Sequence, residues 1–152
     1  MGGDTKLTGP DLAAGIAASD LKPGDKLLGH ANGEQVLLAR VDDEFLAIGA
    51  SCTHYGGPLA EGVLVGDTVR CPWHHACFSL RTGDALRAPA LNPLAQWSVE
   101  RRGALVVVSG KTEREPLAAV SRVIERSART PRNIMIVGGG AAGSAAAEML
   151  RR

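Results

Sequence analysis

Two short segments constrain this chain more than anything else in it: CTH at residues 52–54 and CPWH at residues 71–74, with 16 residues between His54 and Cys71. Each holds a cysteine close to a histidine, so one tight loop can present a thiolate and an imidazole a few Å apart. The elements around the loops must then fix how the two pairs face one another. By type these are metal donors, two soft sulfurs and two imidazoles. A disulfide framework is the weaker reading, because 3 cysteines cannot all pair with each other and cytosolic thiols are kept reduced.

The pattern around the two segments is β. From Glu34, QVLLARV and EFLAIGA are apolar runs rich in branched residues and joined by Asp42-Asp43, the sequence form of a hairpin. Three more hairpins follow: GVLVGDTVRC around Gly66-Asp67, CFSLRTGDALRA at Thr82-Gly83-Asp84, and QWSVERRGALVVVSG at Arg102-Gly103. Closely spaced hairpins predict an antiparallel β domain from about Leu21 to Ser109, with both Cys/His pairs at strand ends. The first thirty residues give no clear period: DLAAGIAASD has the alanines of a short helix, but Gly15 and the following Pro23-Gly24 argue for loop or strand.

Four ligands could hold a zinc ion, but Cys-His followed by Cys-His is not the Cys-Cys then His-His order of a zinc finger. A [2Fe–2S] centre with two thiolates and two imidazoles matches the count and the kinds better. CTH plus CPWH at this separation, set in a β domain, resembles the Rieske iron–sulfur domain. The resemblance spans roughly residues 7–110 and implies an antiparallel β-sandwich with two cluster-binding loops and one-electron transfer as the activity. It also implies that Cys52 and Cys71 bind the inner, buried iron, and His54 and His74 the outer one, through which electrons enter and leave. High-potential members carry an extra cysteine in each loop and two hydroxyl donors. Here Gly57 and Trp73 stand in place of those cysteines, and Ala76 and Phe78 in place of the hydroxyls, so the chain resembles the low-potential, ferredoxin-like branch. Gly56, Gly57 and Pro58 are expected to turn the first loop tightly, and Leu59 and Trp73 to keep water off the centre. Cys77 reads as a small buried hydrophobe outside the site, His75 as a solvent-facing imidazole, and His30 as a surface residue.

Composition shifts at Lys111. Residues 111–132 read as a linker with one amphipathic helix, Pro116 near its start, Leu117, Val120 and Ile124 at helical spacing, and Pro131 at its stop. Residues 133–152 read as an apolar strand, a glycine-rich turn and an alanine-rich helix. Gly138, Gly140 and Gly143 fall in the G-x-G-x-x-G spacing of a dinucleotide site. This segment resembles the start of a flavoprotein of the pyridine-nucleotide-disulfide oxidoreductase family. A Rieske domain joined to such a reductase is the architecture of apoptosis-inducing-factor-like ferredoxin reductases. The expectation is a front part of such a fusion, with an incomplete Rossmann unit, and FAD as a cofactor only if that unit continues past Arg152. On this reading the chain is an electron-transfer module, not catalytically complete by itself, in an NAD(P)H-dependent reductase.

With 17 Lys+Arg against 16 Asp+Glu, the net charge of +1 gives no reason to expect nucleic acid as a partner. The N-terminus lacks a signal-peptide pattern and no stretch approaches the roughly 18 apolar residues of a membrane span, so the expected location is cytoplasmic, away from the membrane. The expected partner is a redox protein or a tethered flavin domain. Two rival readings stay open here: a free Rieske ferredoxin feeding an aromatic-ring oxygenase, and a zinc-stabilised interaction module without redox activity.

Overall fold

A computed structural model describes residues 7–113 and 134–151. The chain divides into two units, Met1–Arg114 and Glu115–Arg152. Among its described residues the first holds ten strands: β1 (Ile16–Ala17), β2 (Lys26–Ala31), β3 (Glu34–Val41), β4 (Glu44–Gly49), β5 (Val63–Val65), β6 (Thr68–Arg70), β7 (Cys77–Ser79), β8 (Ala85–Arg87), β9 (Gln96–Arg102) and β10 (Leu105–Lys111). They form a six-stranded sheet in the order β1-β10-β9-β4-β3-β2 and a four-stranded sheet in the order β5-β6-β7-β8. Every strand pairing is antiparallel.

The β domain begins earlier than the sequence pattern indicates. β2 and β3 are joined by Asn32-Gly33 with φ of 51° and 82°, the two left-handed residues of a type I′ hairpin turn. Asn-Gly flanked by apolar residues is the strongest short hairpin signal, and it marks the strand that the mixed composition of the first thirty residues hides. The DLAAGIAASD segment forms no α-helix; it contributes β1 and a 3-10 turn at Ala18–Asp20. At the other end, β10 runs through Lys111, and the Thr112 N–H donates to the Gln96 carbonyl at 2.9 Å, so the sheet continues past Ser109.

Residues 10–12 close the large sheet on itself. His30 N–H donates to the Pro10 carbonyl at 3.0 Å, Leu12 N–H to the His30 carbonyl at 2.8 Å, and Val108 N–H to the Leu12 carbonyl at 2.9 Å, so the segment links β2 to β10. The approach is so close that a Cβ on Gly29 would sit 2.6 Å from the Leu12 side chain. The outer edge of β2 is thereby covered, and β10 is paired beyond the short stretch that β1 covers.

β3 explains where the cores lie. Val36 and Leu38 enter a cluster with Leu12, Ala47, Trp97, Val106 and Val108 inside the large sheet. Leu37 and Ala39 enter a second cluster with Ile48, Leu59, Val69, Phe78 and Leu80, packed between the two sheets. A strand buried on both faces has no polar side to show, hence the unbroken apolar run VLLA. Cys52 and Cys71 belong to the second cluster, so the two sulfurs sit at the edge of the inter-sheet core.

In the second unit, α1 spans Ala141–Arg151. Residues 134–137, where the apolar strand was expected ahead of the glycine-rich turn, form no strand ladder among the described residues. The amphipathic helix expected around Leu117, Val120 and Ile124 lies outside the described residues. Among the described residues no helix is long and apolar enough to cross a membrane.

Candidate metal centre

Two loops carry the four candidate donors. The first, residues 52–58, leaves β4 through Ala50 and Ser51; the second, residues 71–76, joins β6 to β7. Their backbones close alike. In the first loop the Cys52 N–H donates to the Gly57 carbonyl and the Gly56 N–H to the Cys52 carbonyl, both at 2.8 Å. In the second the Cys71 N–H donates to the Ala76 carbonyl at 2.9 Å and the His75 N–H to the Cys71 carbonyl at 3.1 Å. The fifth residue of each is left-handed, Gly56 at φ 74° and His75 at φ 59°. Gly56 suits that region; His75 occupies it without glycine's freedom. The first loop is anchored further by the Thr53 hydroxyl, which donates to the Asn92 carbonyl at 2.6 Å.

The loops meet face to face. A Cβ on Gly57 would lie 2.7 Å from Cys71 Sγ and 3.2 Å from Trp73 Cδ2, so residue 57 must be glycine for the loops to approach as they do. Cys52 is 3% exposed and Cys71 2% exposed. Burial pushes the Cys52 thiol up from its ordinary value; the backbone N–H groups of His54 and Tyr55 pull it down, and the adjacent Cys71 thiol pushes it up again. The nearness of the two thiols shows that the cysteines converge. Outward from them, the His54 and His74 rings stand at 85° with centroids 5.0 Å apart, His54 half-buried and His74 exposed.

These residues fit a metal–sulfur group. Two buried thiols next to each other in an apolar pocket are costly as thiolates unless a cation neutralises them. His54 Nδ1 is buried and has no hydrogen-bond partner, as suits a ring nitrogen reserved for a metal. Among the described residues no three of His, Cys, Asp and Glu gather around one point as a single ion needs. The donors instead come as a sulfur pair and an imidazole pair, which suits a group with two metal positions better than one tetrahedral zinc.

Other residues fall differently from expectation. Leu59 is fully buried beneath the first loop, but Trp73 is 54% exposed and leaves one face in water, so it shields less than its size suggests. His30 is half-buried in β2, where it bridges to Asp11, and is not a free surface residue. His75 is exposed and Cys77 is buried in β7, as their plainer readings had it. Ala76 and Phe78 are fully buried and offer no hydroxyl. Sequence reasoning passed over Tyr55, whose ring centroid lies 4.2 Å from that of His54 and 5.9 Å from that of His74. Its position next to His54 was the available signal.

In the second unit Gly138 is left-handed at φ 112°, and a Cβ on Gly143, in the first turns of α1, would run into the Gly138 carbonyl. Gly140 ends the turn, its carbonyl accepting from Ser144 N–H at 3.0 Å. The glycines at 138 and 143 thus permit a close return of backbone onto a helix start, as the dinucleotide fingerprint requires.

Comparison with known proteins agrees with this geometry. The family described as Rieske [2Fe-2S] domain matches residues 13–98. The chain is 36% identical over 146 residues to apoptosis-inducing factor 3 of Homo sapiens, covering 92% of this chain and 24% of that protein. It is 35% identical over 96 residues to ferredoxin CarAc of Metapseudomonas resinovorans, covering 62% of this chain and 90% of the ferredoxin. Among solved structures, the ferredoxin of carbazole 1,9a-dioxygenase from Nocardioides aromaticivorans IC177 superposes with a TM-score of 0.62 at 28% identity, over 64% of this chain and 95% of that one. The chain therefore spans about a quarter of the apoptosis-inducing factor and most of the ferredoxins' length.

Proposed function

The chain belongs to the Rieske [2Fe-2S] domain family and carries electrons one at a time, and from that premise we propose that Cys52 and Cys71 hold one iron while His54 and His74 hold the other. The observation that carries the assignment is the pairing itself: two buried adjacent thiols, and two rings of which one keeps a buried, unpartnered Nδ1. When bound, a [2Fe–2S] cluster takes up and releases a single electron without making or breaking a substrate bond. The protein's own contributions are separable. The inter-sheet core keeps water from the sulfurs, and the N–H groups of His54 and Tyr55 stabilise charge on Cys52. The loop fold leaves the imidazoles as the outward edge. With Ala76 and Phe78 offering no hydroxyl, the potential belongs at the low end of a family range of roughly −150 to +300 mV.

The module's setting is an NAD(P)H-dependent flavoprotein reductase, with Gly138, Gly140 and Gly143 beginning the site for a dinucleotide cofactor such as FAD. Support comes from the reach of the similarity: the match to ferredoxin CarAc covers 62% of the chain, whereas the match to apoptosis-inducing factor 3 covers 92% of it. Tethering would raise the local concentration of electron donor at the cluster. A second reading, a free ferredoxin feeding an oxygenase, is favoured by the near full-length match to ferredoxin CarAc.

Anaerobic addition of NADH or NADPH to the native protein purified from its source separates the two. A reduced-cluster resonance without any added reductase is the expected result. A signal that waits for a separate reductase would establish the free-ferredoxin reading instead.

A further inference from the structure

The two ligand loops are carried by three strands, and those strands meet a second time at their other ends. β4 begins at Glu44 and runs into the first loop; β6 follows Asp67 and runs into the second; β7 leaves the second loop, and Arg81 lies two residues past its end at Ser79. Arg81 joins all three. Its Nη1 donates to Glu44 Oε2 at 2.7 Å and its Nε to Asp67 Oδ2 at 3.0 Å, while its backbone carbonyl accepts from the side-chain amide of Gln96, the first residue of β9. Beside it the Leu80 N–H donates to the Asp67 carbonyl at 2.8 Å. Glu44 belongs to the six-stranded sheet and Asp67 to the β5–β6 turn of the four-stranded one, so a single guanidinium spans the two sheets.

We propose that Arg81 is a positioning residue for the metal centre: held by Glu44 and Asp67, it fixes how β4 lies against β6 and β7, and so keeps the two loops at their close approach. The inference rests on the ligand assignment above. The inter-sheet core connects the two ends, since Leu80, next to Arg81, shares one apolar cluster with Cys52 and Cys71. Apolar contact is non-directional, whereas a guanidinium fork sets angles as well as distances. At the centre the tolerance is small: Gly57 approaches so closely that a methyl there would meet Cys71 Sγ at 2.7 Å. Either ion pair alone, about half exposed, would count for little in water. Two pairs on one guanidinium, flanked by bonded backbone, form a network, the case in which surface charges do contribute. Arg81 touches none of the four donors and acts on them only through the strands.

The test measures iron loss from the loaded, dithionite-reduced protein to excess ferrozine, and amide hydrogen exchange of the same protein by mass spectrometry. Arg81→Ala is expected to speed iron loss about fivefold, and Glu44→Gln and Asp67→Asn each by less. Adding Glu44→Gln to Arg81→Ala should change nothing further, because the pair is already gone. Arg102→Ala, whose ion pair with Glu100 lies within β9, serves as control and should match the parent. The reduced-state resonance should keep its line positions in every variant, as the donors are untouched. In Arg81→Ala, peptides covering residues 52–58 and 71–76 should exchange faster, while residues 26–41 in β2 and β3 keep the parent's rate. Salt raised from roughly 0.05 to 1 M should speed iron loss from the parent and leave Arg81→Ala unchanged. Unaltered iron loss in Arg81→Ala overturns the proposal. So does exchange that rises evenly across the whole domain, which would make Arg81 a general stabiliser of the fold with no special hold on the loops. Failure of the ligand assignment would show separately, as a parent protein without iron or cluster resonance, and the exchange comparison would then still decide whether Arg81 governs the two loops.

Discussion

The two loops at the metal centre share one backbone plan and differ in what they ask of their residues. Both begin on a buried cysteine, close with a hydrogen bond from its N–H to a carbonyl five residues on, and turn through a left-handed residue. The first meets that turn with Gly56 and approaches the other loop through a second glycine, Gly57. The second meets it with His75, and fills the space opposite Gly57 with Trp73. One loop is built to come close, the other to project side chains. Donor chemistry is the same in both, so the asymmetry concerns approach and surface and leaves the ligand set alone.

The largest effect should come from breaking what the loops share. Replacing Cys71 by Ala is expected to abolish cluster binding outright, because it leaves Cys52 as a lone buried sulfur with no second anion for the metal. His74→Ala is expected to remove the Rieske resonance as well, although the sheets still fold, since His74 is exposed and outside both cores. Iron content and circular dichroism on the same samples check both. Retained iron at two per chain in Cys71→Ala would contradict the assignment.

A smaller effect should follow from breaking the approach. Gly57→Ala places a methyl 2.7 Å from Cys71 Sγ, in a neighbourhood that is buried and can yield little. An overpacking cost of about 1–3 kcal/mol is expected, read as a fall in the denaturant midpoint and faster loss of iron. Ala replacement at Gly110, where an added Cβ meets nothing within 4 Å, serves as control.

How much of this was legible beforehand depended on range. The hairpins at Asp42-Asp43 and Gly66-Asp67 were readable because turn residues and alternation are local. The ligand pairs were readable because each lies within four residues of chain. β2 was hidden by a mixed composition, although Asn32-Gly33 announced its hairpin. Residues 10–12 had no local signature at all, since their hydrogen bonds run to His30 and Val108, far away in sequence. The exposure of Trp73 and the contact of Tyr55 with two imidazoles likewise arise only when the loops meet. Residue type suggested shielding for Trp73; placement decided otherwise.

The smallest effect sharpens the contrast between the left-handed positions. Gly56→Ala at φ 74° should cost about 1 kcal/mol, the usual penalty for a Cβ in that region. His75→Gly relieves a similar strain, but gives the unfolded chain more freedom by a comparable amount, so a change within about 0.5 kcal/mol is expected. Thermal or denaturant unfolding of the loaded proteins measures both. Equal losses at the two positions would mean that His75 is stabilised by contacts beyond its backbone hydrogen bond.

The most direct test of the centre is the electron paramagnetic resonance spectrum of the dithionite-reduced protein, with iron and zinc determined on the same sample. Two irons per chain and a rhombic Rieske-type signal are expected if Cys52, Cys71, His54 and His74 hold a [2Fe–2S] cluster. A silent spectrum with stoichiometric zinc would contradict it and make the same four residues a structural site.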